Sequence, residues 1–366
     1  MNANIESTTT RRDFIKTTAM AATAAALTVP SLASAQAAKP TKVKLGFDNF
    51  SIRSSNWKAG KVLEYAAEQK VDVVLFSDLD VYENHTEAYL KDLKKKADDL
   101  GIEIQGGTGS ICPTSNSYGQ VKKWGTAEEH LKLTIKIAKT LGSKVARCYL
   151  GNARDRASEG GIEARIKDTV ATCKAVKSYA QDNGIKIAIE NHAGDMQAWE
   201  LQMLIEEAGK DYVGATIDPG NATWTLEDPH VNLEILAPYA ACAGIRDSIV
   251  WETPNGAAAK WAAVGEGVVD MKAYLKRWVE VCPGVPVTLE IISEYAKQHD
   301  YLKPEFWKVF PKVRPYEFAR FTALARKGKP AESFKGSGQQ QADYQKAELE
   351  RSIKYCKTEL GLGLKG

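Results

Sequence analysis

Acidic residues stand at the ends of three apolar segments in the second half of this sequence. The segment "IAI" runs into Glu190, "GATI" runs into Asp218, and "VTL" runs into Glu290. Carboxylates that meet in a folded protein repel one another and lose hydration, so they require protons, a basic partner or a cation. An oxygen-rich site of this kind favours Mg²⁺ or Mn²⁺ over zinc. If the three residues meet, they predict a site that holds protons, a basic partner or a divalent cation.

Polar and aromatic residues accompany these carboxylates, and they are candidates to bind a ligand. Amide and imidazole groups follow Glu190 directly, an amide closes the stretch "DPGN", and an arginine lies in "GIRD". Aromatic faces can cover the apolar side of a sugar ring. The expected ligand contacts are Asn191, His192, Asn221, Arg246 and Trp224. Other roles are open: a strand-end carboxylate often caps a helix or forms a salt bridge, the histidine can be structural, and the tryptophan can pack in the core or at its rim.

Eight short apolar segments, rich in valine, isoleucine and leucine, read as parallel strands buried on both faces. The predicted strands are Val43–Phe50, Asp72–Phe76, Ile102–Gly106, Lys144–Leu150, Ile185–Glu190, Val213–Asp218, Ala241–Val250 and Val285–Ile292. Amphipathic helical patterns lie between them, at Ala59–Gln69, Thr126–Leu141, Ile162–Asn183, Trp199–Ala208 and Asp270–Val281, with Tyr316–Lys327 as a candidate eighth helix.

The alternation of strands and helices at intervals near 30 residues predicts an α/β fold, a (β/α)₈ TIM barrel with a C-terminal helical extension. A doubly wound sheet is the rival architecture, but it normally carries a glycine-rich phosphate loop after the first strand. Here that strand runs into "DNFSIR". In a barrel the functional groups lie at the C-terminal ends of the strands, which is where the three carboxylates stand.

The two ends of the chain differ from this pattern. Residues 1–35 combine "TRRDFIK", an alanine-rich apolar run and "ASA", which predicts a twin-arginine export signal and a periplasmic or otherwise exported protein. Residues 41–330 form the predicted barrel domain. Residues 331–366 are predicted to be a linker and one amphipathic helix, Ala342–Leu360, packed on the barrel.

Composition argues against two classes of partner. The 366 residues carry a formal net charge of +3, without the basic excess of a nucleic-acid-binding protein. The alanine-rich apolar run near the N-terminus is too short and too mildly hydrophobic to be a membrane-spanning helix. The six cysteines show no C-x-x-C pair and are expected to be buried thiols. Homo-oligomer formation is open.

Six short motifs, in this order, resemble the sugar phosphate isomerase/epimerase family of xylose-isomerase-like TIM barrels. They are "LGFDNFSIR", "IENHAGD", "IDPGN", "IRD", "GEGVVD" and "LEI", and they extend from about Val43 to Ile292. The resemblance implies a divalent metal held by Glu190, Asp218 and Glu290, with a histidine as fourth ligand. At the position of that histidine this sequence has Gly244. Water, Asp247 or His192 would have to complete a weaker site, or Arg246 would supply the positive charge instead.

The resemblance also implies a small-molecule sugar as the partner and a reaction on it. Glu190 and Glu290 would move a proton next to a keto-sugar carbonyl through an enediolate, making the chain an exported sugar isomerase or epimerase. Loss of a β-leaving group from the same intermediate would make it a keto-glycoside lyase or hydratase. A sugar-binding barrel without catalysis is the third hypothesis, motivated by Gly244.

Overall fold

The computed structural model describes residues 43–366, and the predicted export signal lies outside them. Eleven strands are present in this part of the chain. They are β1 (Leu45–Asp48), β2 (Val73–Phe76), β3 (Glu103–Ser110), β4 (Val145–Tyr149), β5 (Lys186–Glu190), β6 (Val213–Ile217), β7 (Ala240–Ala243), β8 (Asp247–Thr253), β9 (Gly256–Ala262), β10 (Val287–Leu289) and β11 (Ala296–His299).

Helices follow most of these strands. The α-helices are α1 (Ala59–Glu68), α2 (Glu87–Asp99), α3 (Ala127–Thr140), α4 (Gly161–Ala175), α5 (Lys177–Asp182), α6 (Ala198–Ala208), α7 (Pro219–Thr223), α8 (Pro229–Leu236), α9 (Met271–Val281), α10 (Pro315–Ala325) and α11 (Gln339–Thr358). Short 3₁₀ segments lie at Asn49–Ser55, Leu79–Val81, Tyr118–Gln120, Lys122–Trp124, Ala153–Ala157, Ala237–Tyr239 and Pro304–Val309.

The eight strands β1 to β7 and β10 form one parallel sheet that curls into a barrel, as the sequence predicts. Their order is β10-β1-β2-β3-β4-β5-β6-β7. The two edges of this sheet meet where Ile245, just after β7, forms a parallel bridge with Leu289 of β10. The Ile245 N–H donates to the Thr288 carbonyl at 2.8 Å, and the Glu290 N–H donates to the Ile245 carbonyl at 3.0 Å. The predicted TIM barrel is confirmed.

The seventh predicted strand, Ala241–Val250, is wrong in its second half. Of the two strands found in this segment, only β7 belongs to the barrel. The other, β8, pairs antiparallel with β9, which in turn pairs with β11. Pro254 and Asn255 connect β8 to Gly256, whose φ of +152° is readily adopted only by glycine. This tight turn folds the chain back on itself, so residues 247–262 build a hairpin beyond the barrel.

The predicted eighth helix also packs elsewhere. The helix α10 buries Phe321 and Leu324 in a separate cluster with Val250 and Ala259 of the antiparallel sheet. The C-terminal helix α11 instead adds Leu349 to the main barrel core. The α4–α5 region, predicted as one helix, is interrupted at Val176.

The main core is continuous and apolar, and it fixes the strand ends that carry the site.

All six cysteines are buried and none is paired with another. Within residues 43–366, no helix combines the length and apolar character that crossing a bilayer requires.

Candidate active site

Three carboxylates from three strands of the sheet meet at one end of the barrel. Glu190 is the last residue of β5, and Asp218 and Glu290 directly follow β6 and β10. One oxygen of each lies within 4.8 Å of the other two, and all three side chains are buried. The register that pairs Glu190 with Thr216 puts the ends of β5 and β6 level. The convergence expected from the sequence is therefore present in the described structure.

Glu190 is held by an arginine from the adjacent strand. Arg147 lies inside β4, its Nε donates to Glu190 Oε2 at 2.6 Å, and its Nη2 also contacts that oxygen. Its Nη1 donates to the Thr108 carbonyl at 3.3 Å. The other Glu190 oxygen accepts from Asn221 Nδ2 at 2.9 Å. Both Glu190 oxygens are thus occupied within the protein.

Asp218 lies between a helix start and a second arginine. Its Oδ1 accepts from the Asn221 N–H at 3.0 Å, which caps the short helix α7, and its Oδ2 accepts from Asn221 Nδ2 at 2.8 Å. Arg246 Nε donates to Asp218 Oδ2 at 2.9 Å, and Arg246 Nη2 contacts the same oxygen. Arg246 Nη2 also lies 3.1 Å from Glu290 Oε2. One guanidinium therefore bridges two members of the triad.

A fourth buried carboxyl group belongs to the same site. Asp48 ends β1, and its Oδ1 accepts from the Phe50 N–H at 2.8 Å and from Ser77 Oγ at 2.6 Å. Its Oδ2 is buried and has no hydrogen-bond partner among the described residues. Such an atom is costly unless a proton or a ligand reaches it.

The charges of the site do not balance if every group is ionised. Four carboxyl groups face two guanidinium groups, and a buried surplus of negative charge raises the affinity for protons. Burial raises the pKa of Asp48 to about 7 and that of Asp218 to about 6. Burial also raises the pKa of Glu190 well above its usual value, against the effect of Arg147.

Glu290 behaves differently from the other carboxyl groups. Burial disfavours its charged form, but the guanidinium groups of Arg246 and Arg147 outweigh burial and lower its pKa below the usual glutamate value. Two glutamates with pKa values displaced in opposite directions can divide the roles of base and acid. Glu290 is the triad member whose pKa is displaced towards the ionised form.

A cavity of about 170 Å³ opens next to this group of charges. Its lining includes Glu290, Arg147 and His192, together with the aromatic rings of Tyr149 and Trp124. Glu190, Asp218 and Arg246 do not line it. A ligand in the cavity therefore meets one carboxylate of the triad and one arginine directly.

His192 presents a neutral ring to the cavity. Its Nδ1 lies 2.6 Å from the Gly151 carbonyl, which can only accept a hydrogen bond, so Nδ1 carries the proton and Nε2 is left as an acceptor. The ring stacks on Tyr149 with centroids 3.7 Å apart. Burial lowers the pKa of His192 to about 3. It can accept a hydrogen bond from a sugar hydroxyl group without carrying charge.

The other predicted ligand contacts are engaged within the protein. Asn191 exchanges hydrogen bonds with the backbone of Asp218, at 2.8 Å and 3.0 Å. Asn221 joins Glu190 to Asp218, and its Oδ1 accepts from the Ala193 N–H at 3.0 Å. Trp224 stacks on Trp261 with centroids 3.9 Å apart. These residues, like Arg246, lie outside the lining of the 170 Å³ cavity.

Sequence reasoning missed Arg147 and Asp48. A usable signal existed for the first, because an arginine inside the apolar stretch "VARCYL" is rarely buried without an acidic partner. Asp48 also ends a strand, like the three predicted carboxylates. Its tie to Ser77 at the end of β2 depends on the closure of the barrel.

The three carboxylates supply oxygen ligands for a divalent cation, but the arrangement does not fit one as it stands. The oxygens Asp218 Oδ2 and Glu290 Oε2 already contact Arg246. A Cβ atom added to Gly244 would lie 3.1 Å from Glu290 Oε2, so this position faces the triad but supplies no ligand. Asp247 cannot complete the set, because its oxygens accept from the Gly265 and Gly267 N–H groups at 3.1 Å and 2.9 Å.

Comparison with known proteins agrees with this fold. The sequence model of a family described as "Xylose isomerase-like TIM barrel" matches residues 61–306. A curated relative, the 3-oxo-isoapionate decarboxylase of Pectobacterium atrosepticum, is 23% identical over 186 residues. That match covers 51% of this chain and 59% of the relative, so the chain spans little more than half the length of that protein.

Solved structures of similar shape include sugar epimerases. A D-psicose 3-epimerase in the presence of D-fructose superposes with a TM-score of 0.59 and 15% identity, over 87% of this chain and 99% of that chain. A xylose isomerase domain protein from Planctomyces limnophilus gives a TM-score of 0.50 and 18% identity, over 70% of this chain and 92% of that chain. At this level of identity the likeness shows the fold.

Proposed function

Because this chain belongs to the xylose isomerase-like TIM barrel family, we propose that it is an enzyme that moves a proton next to the carbonyl group of a keto-sugar. The observation that carries this proposal is the pair Glu190 and Glu290, buried in one site, with pKa values displaced in opposite directions. Proton abstraction beside a carbonyl requires an ionised base, and proton return requires an acid. The sugar epimerases of the same fold support this reaction class.

Glu290 is the base in this proposal, since it is ionised and lines the cavity. It takes the proton from the carbon next to the carbonyl, the C–H electron pair forms a C=C bond, and the carbonyl π pair moves to oxygen. The resulting enediolate carries negative charge on that oxygen. Arg147 lines the same cavity and supplies the positive charge that stabilises it.

Glu190 is the acid that returns a proton. Burial raises its pKa and so favours the protonated form once Arg147 moves away, and delivery of that proton to the opposite face of the enediolate gives an epimer. Arg147 covers its Oε2, so Glu190 reaches the substrate only when this arginine shifts. A divalent cation, Mn²⁺ or Mg²⁺, on Glu190, Asp218 and Glu290 is the rival source of positive charge, and it requires Arg246 to leave its present contacts.

A keto-glycoside lyase or hydratase is the second candidate, and two features favour it. Elimination from an enediolate needs one base at the cavity, and Glu290 is the one triad member that lines it. A second cavity of about 510 Å³ shares the lining residues Phe50, Asp78 and Asp80 with the first. The smaller cavity alone falls below the roughly 300–1,000 Å³ typical of ligand sites, whereas the two together fall within it. The larger one has room for a leaving group.

Export by the twin-arginine route completes the proposal. It rests on the sequence of residues 1–35, and an unphosphorylated sugar or glycoside is the substrate that such a location favours. Fractionation of cells that express the full chain, beside an Arg11→Lys/Arg12→Lys variant, tests it. Both proteins remaining in the cytoplasm would contradict it.

The reaction is tested with a panel of keto-sugars and keto-glycosides in deuterated water. Deuterium incorporation next to the carbonyl, with the carbon skeleton and substituents retained, supports the isomerase or epimerase. Release of an aglycone or of water supports the lyase or hydratase. Sugar binding without exchange or release would refute both and leave the non-catalytic barrel. Glu290→Gln is the inactive reference, and the exposed Glu305→Gln is its matched control.

A further inference from the structure

The guanidinium group of Arg246 lies where a cation bound by the triad would have to lie. Its Nε is 2.9 Å from Asp218 Oδ2, its Nη2 is 3.1 Å from Glu290 Oε2, and Nη2 also contacts Asp218. A metal ion held by the triad needs one oxygen from each carboxylate. Arg246 already contacts both oxygens of Asp218 and one oxygen of Glu290. An ion and this guanidinium group therefore compete for one position.

The side chain of Arg246 is held in this position by a slot. On one side the chain passes over Gly220, where an added Cβ would lie 2.4 Å from Arg246 Cγ and 2.7 Å from Cδ. On the other side the guanidinium carbon lies 4.1 Å from the centroid of Trp261. Trp261 is itself stacked on Trp224. Because the slot packs the methylene groups and the guanidinium plane alike, Arg246 cannot leave it without opening a buried cavity.

Gly244 completes the arrangement. It stands two residues before Arg246, and an added Cβ would lie 3.1 Å from Glu290 Oε2 and 3.4 Å from Asp218 Oδ2. Any side chain here would enter the space next to the two carboxylates. The chain thus lacks a ligand at the position that faces the triad, and it has an arginine that satisfies the same oxygens.

We propose that Arg246 is a built-in replacement for a divalent cation: its guanidinium group neutralises Asp218 and Glu290, positions Glu290 for proton abstraction, and keeps divalent metal out of the triad. Exclusion of metal stands on the geometry alone, whereas the positioning of Glu290 rests on the proposed function. Arg246 does not line the cavity, so it acts through Glu290 as a positioning residue.

Titration of the purified wild-type chain with Mn²⁺, with the free ion measured by electron paramagnetic resonance, tests the exclusion of metal directly. The expected result is no tight binding, and no Mn²⁺, Mg²⁺ or Zn²⁺ at the level of one ion per chain by elemental analysis. One Mn²⁺ bound per chain would overturn the inference. This measurement requires neither a variant nor a known substrate.

Two variants sharpen the test. Gly244→His/Arg246→Ala removes the guanidinium and adds a ligand beside the triad, so it should bind Mn²⁺ at least tenfold more tightly than the wild type. Arg246→Lys keeps a cation in the slot and should stay metal-free. If the double variant fails to fold, as judged by circular dichroism, the wild-type titration still decides the matter.

The exchange assay separates this inference from the proposed function. Deuterium exchange that persists in EDTA supports both. Exchange that appears only with added Mn²⁺ overturns the role of Arg246 and leaves the proposed reaction intact. No exchange with any substrate, together with no Mn²⁺ binding, refutes the reaction and leaves the exclusion of metal standing. If Arg246 acts through Glu290, the acid limb of the pH–rate profile should move in Arg246→Lys. If Arg246 has only a structural role, this variant should change the stability of the protein and leave the acid limb in place.

Discussion

The side chain of Arg246 packs so closely against Gly220 that no Cβ atom fits between the two residues. A Cβ atom on Gly220 would lie 2.4 Å from Arg246 Cγ, a separation that real Cβ atoms do not show. Gly220 belongs to the turn "DPGN", which otherwise reads as an ordinary helix start. The turn therefore has a second role, since it leaves room for a buried arginine.

Gly220→Ala should destabilise the protein, because the added methyl group forces Arg246 out of its slot. Overpacking of this kind costs about 1–3 kcal/mol. Urea unfolding measures the difference in free energy of unfolding. Gly119→Ala is the matched control, because an added Cβ there meets nothing within 4 Å. Equal stabilities for the two variants would show that the slot is not rigid.

Glu290→Gln should abolish turnover while leaving the fold intact. The amide keeps the shape of the side chain but cannot accept a proton, and loss of a positioned general base costs about 10²–10⁴-fold in rate. Initial rates of deuterium exchange give the comparison, and circular dichroism confirms folding. A rate within threefold of the wild type would assign the base to another group.

Arg147→Met should be strongly destabilising, because it leaves Glu190 buried without its basic partner. Breaking one side of a buried ion pair costs about 3–5 kcal/mol. Adding Glu190→Gln removes the stranded carboxyl group and should restore part of the loss. A double-mutant cycle by urea unfolding measures the coupling. Additive effects would mean that the two side chains do not interact in solution.

Stability should fall in mild acid partly because of His299. This ring is fully buried between β11 and α10, donates to the Thr223 carbonyl at 3.0 Å, and has a pKa lowered to about 3 by burial and by nearby Lys297. The unfolded chain binds a proton at the usual histidine pKa near 6.5, so between about pH 6.5 and pH 3 it holds more protons than the folded chain. The contribution of His299 to stability is therefore present above pH 6.5 and is lost as the pH falls.

The variant His299→Leu isolates this effect from the carboxyl groups, which titrate in both proteins. The stability advantage of the wild type over the variant should shrink by about 2 kcal/mol between pH 7.5 and pH 5, from the histidine shift alone. Urea unfolding at the two pH values measures it. An unchanged difference would mean that the ring takes up a proton as readily in the folded as in the unfolded state.

Gln345→Ala should weaken substrate binding more than it slows turnover. Gln345 lies on α11, accepts from the Ser54 N–H at 3.0 Å, and donates to Glu294 at 2.7 Å. Ser54 belongs to the segment that carries Phe50, which lines both cavities. Gln339→Ala, at an exposed position of the same helix, is the control. The expectation is a KM several-fold higher with kcat within twofold, and a change confined to kcat would contradict it.

The sequence was sufficient to predict the barrel and the meeting of the triad, because both follow from local pattern. Glu190, Asp218 and Glu290 each end an apolar strand, and the ends of parallel strands meet at one mouth. Arg147 was missed because its charge is compensated by a residue 43 positions away in the chain.

The hairpin of β8 and β9 escaped prediction for a related reason. In "RDSIVWET" the apolar run Ile249–Trp251 resembles part of a barrel strand, and only the turn at Pro254 and Asn255 separates this stretch from β9. The slot for Arg246 was equally inaccessible, because Gly220 and Trp261 meet only after the hairpin folds over the barrel mouth.

The contact between Gln345 and Ser54 also has a consequence for synthesis of the chain. The two residues are 291 positions apart, so the first loop of the barrel receives its support only after the ribosome has made α11. A nascent chain that lacks α11 already holds the triad but has an unsupported cavity wall. The cavity wall therefore becomes fixed later than the barrel strands that carry the carboxyl groups.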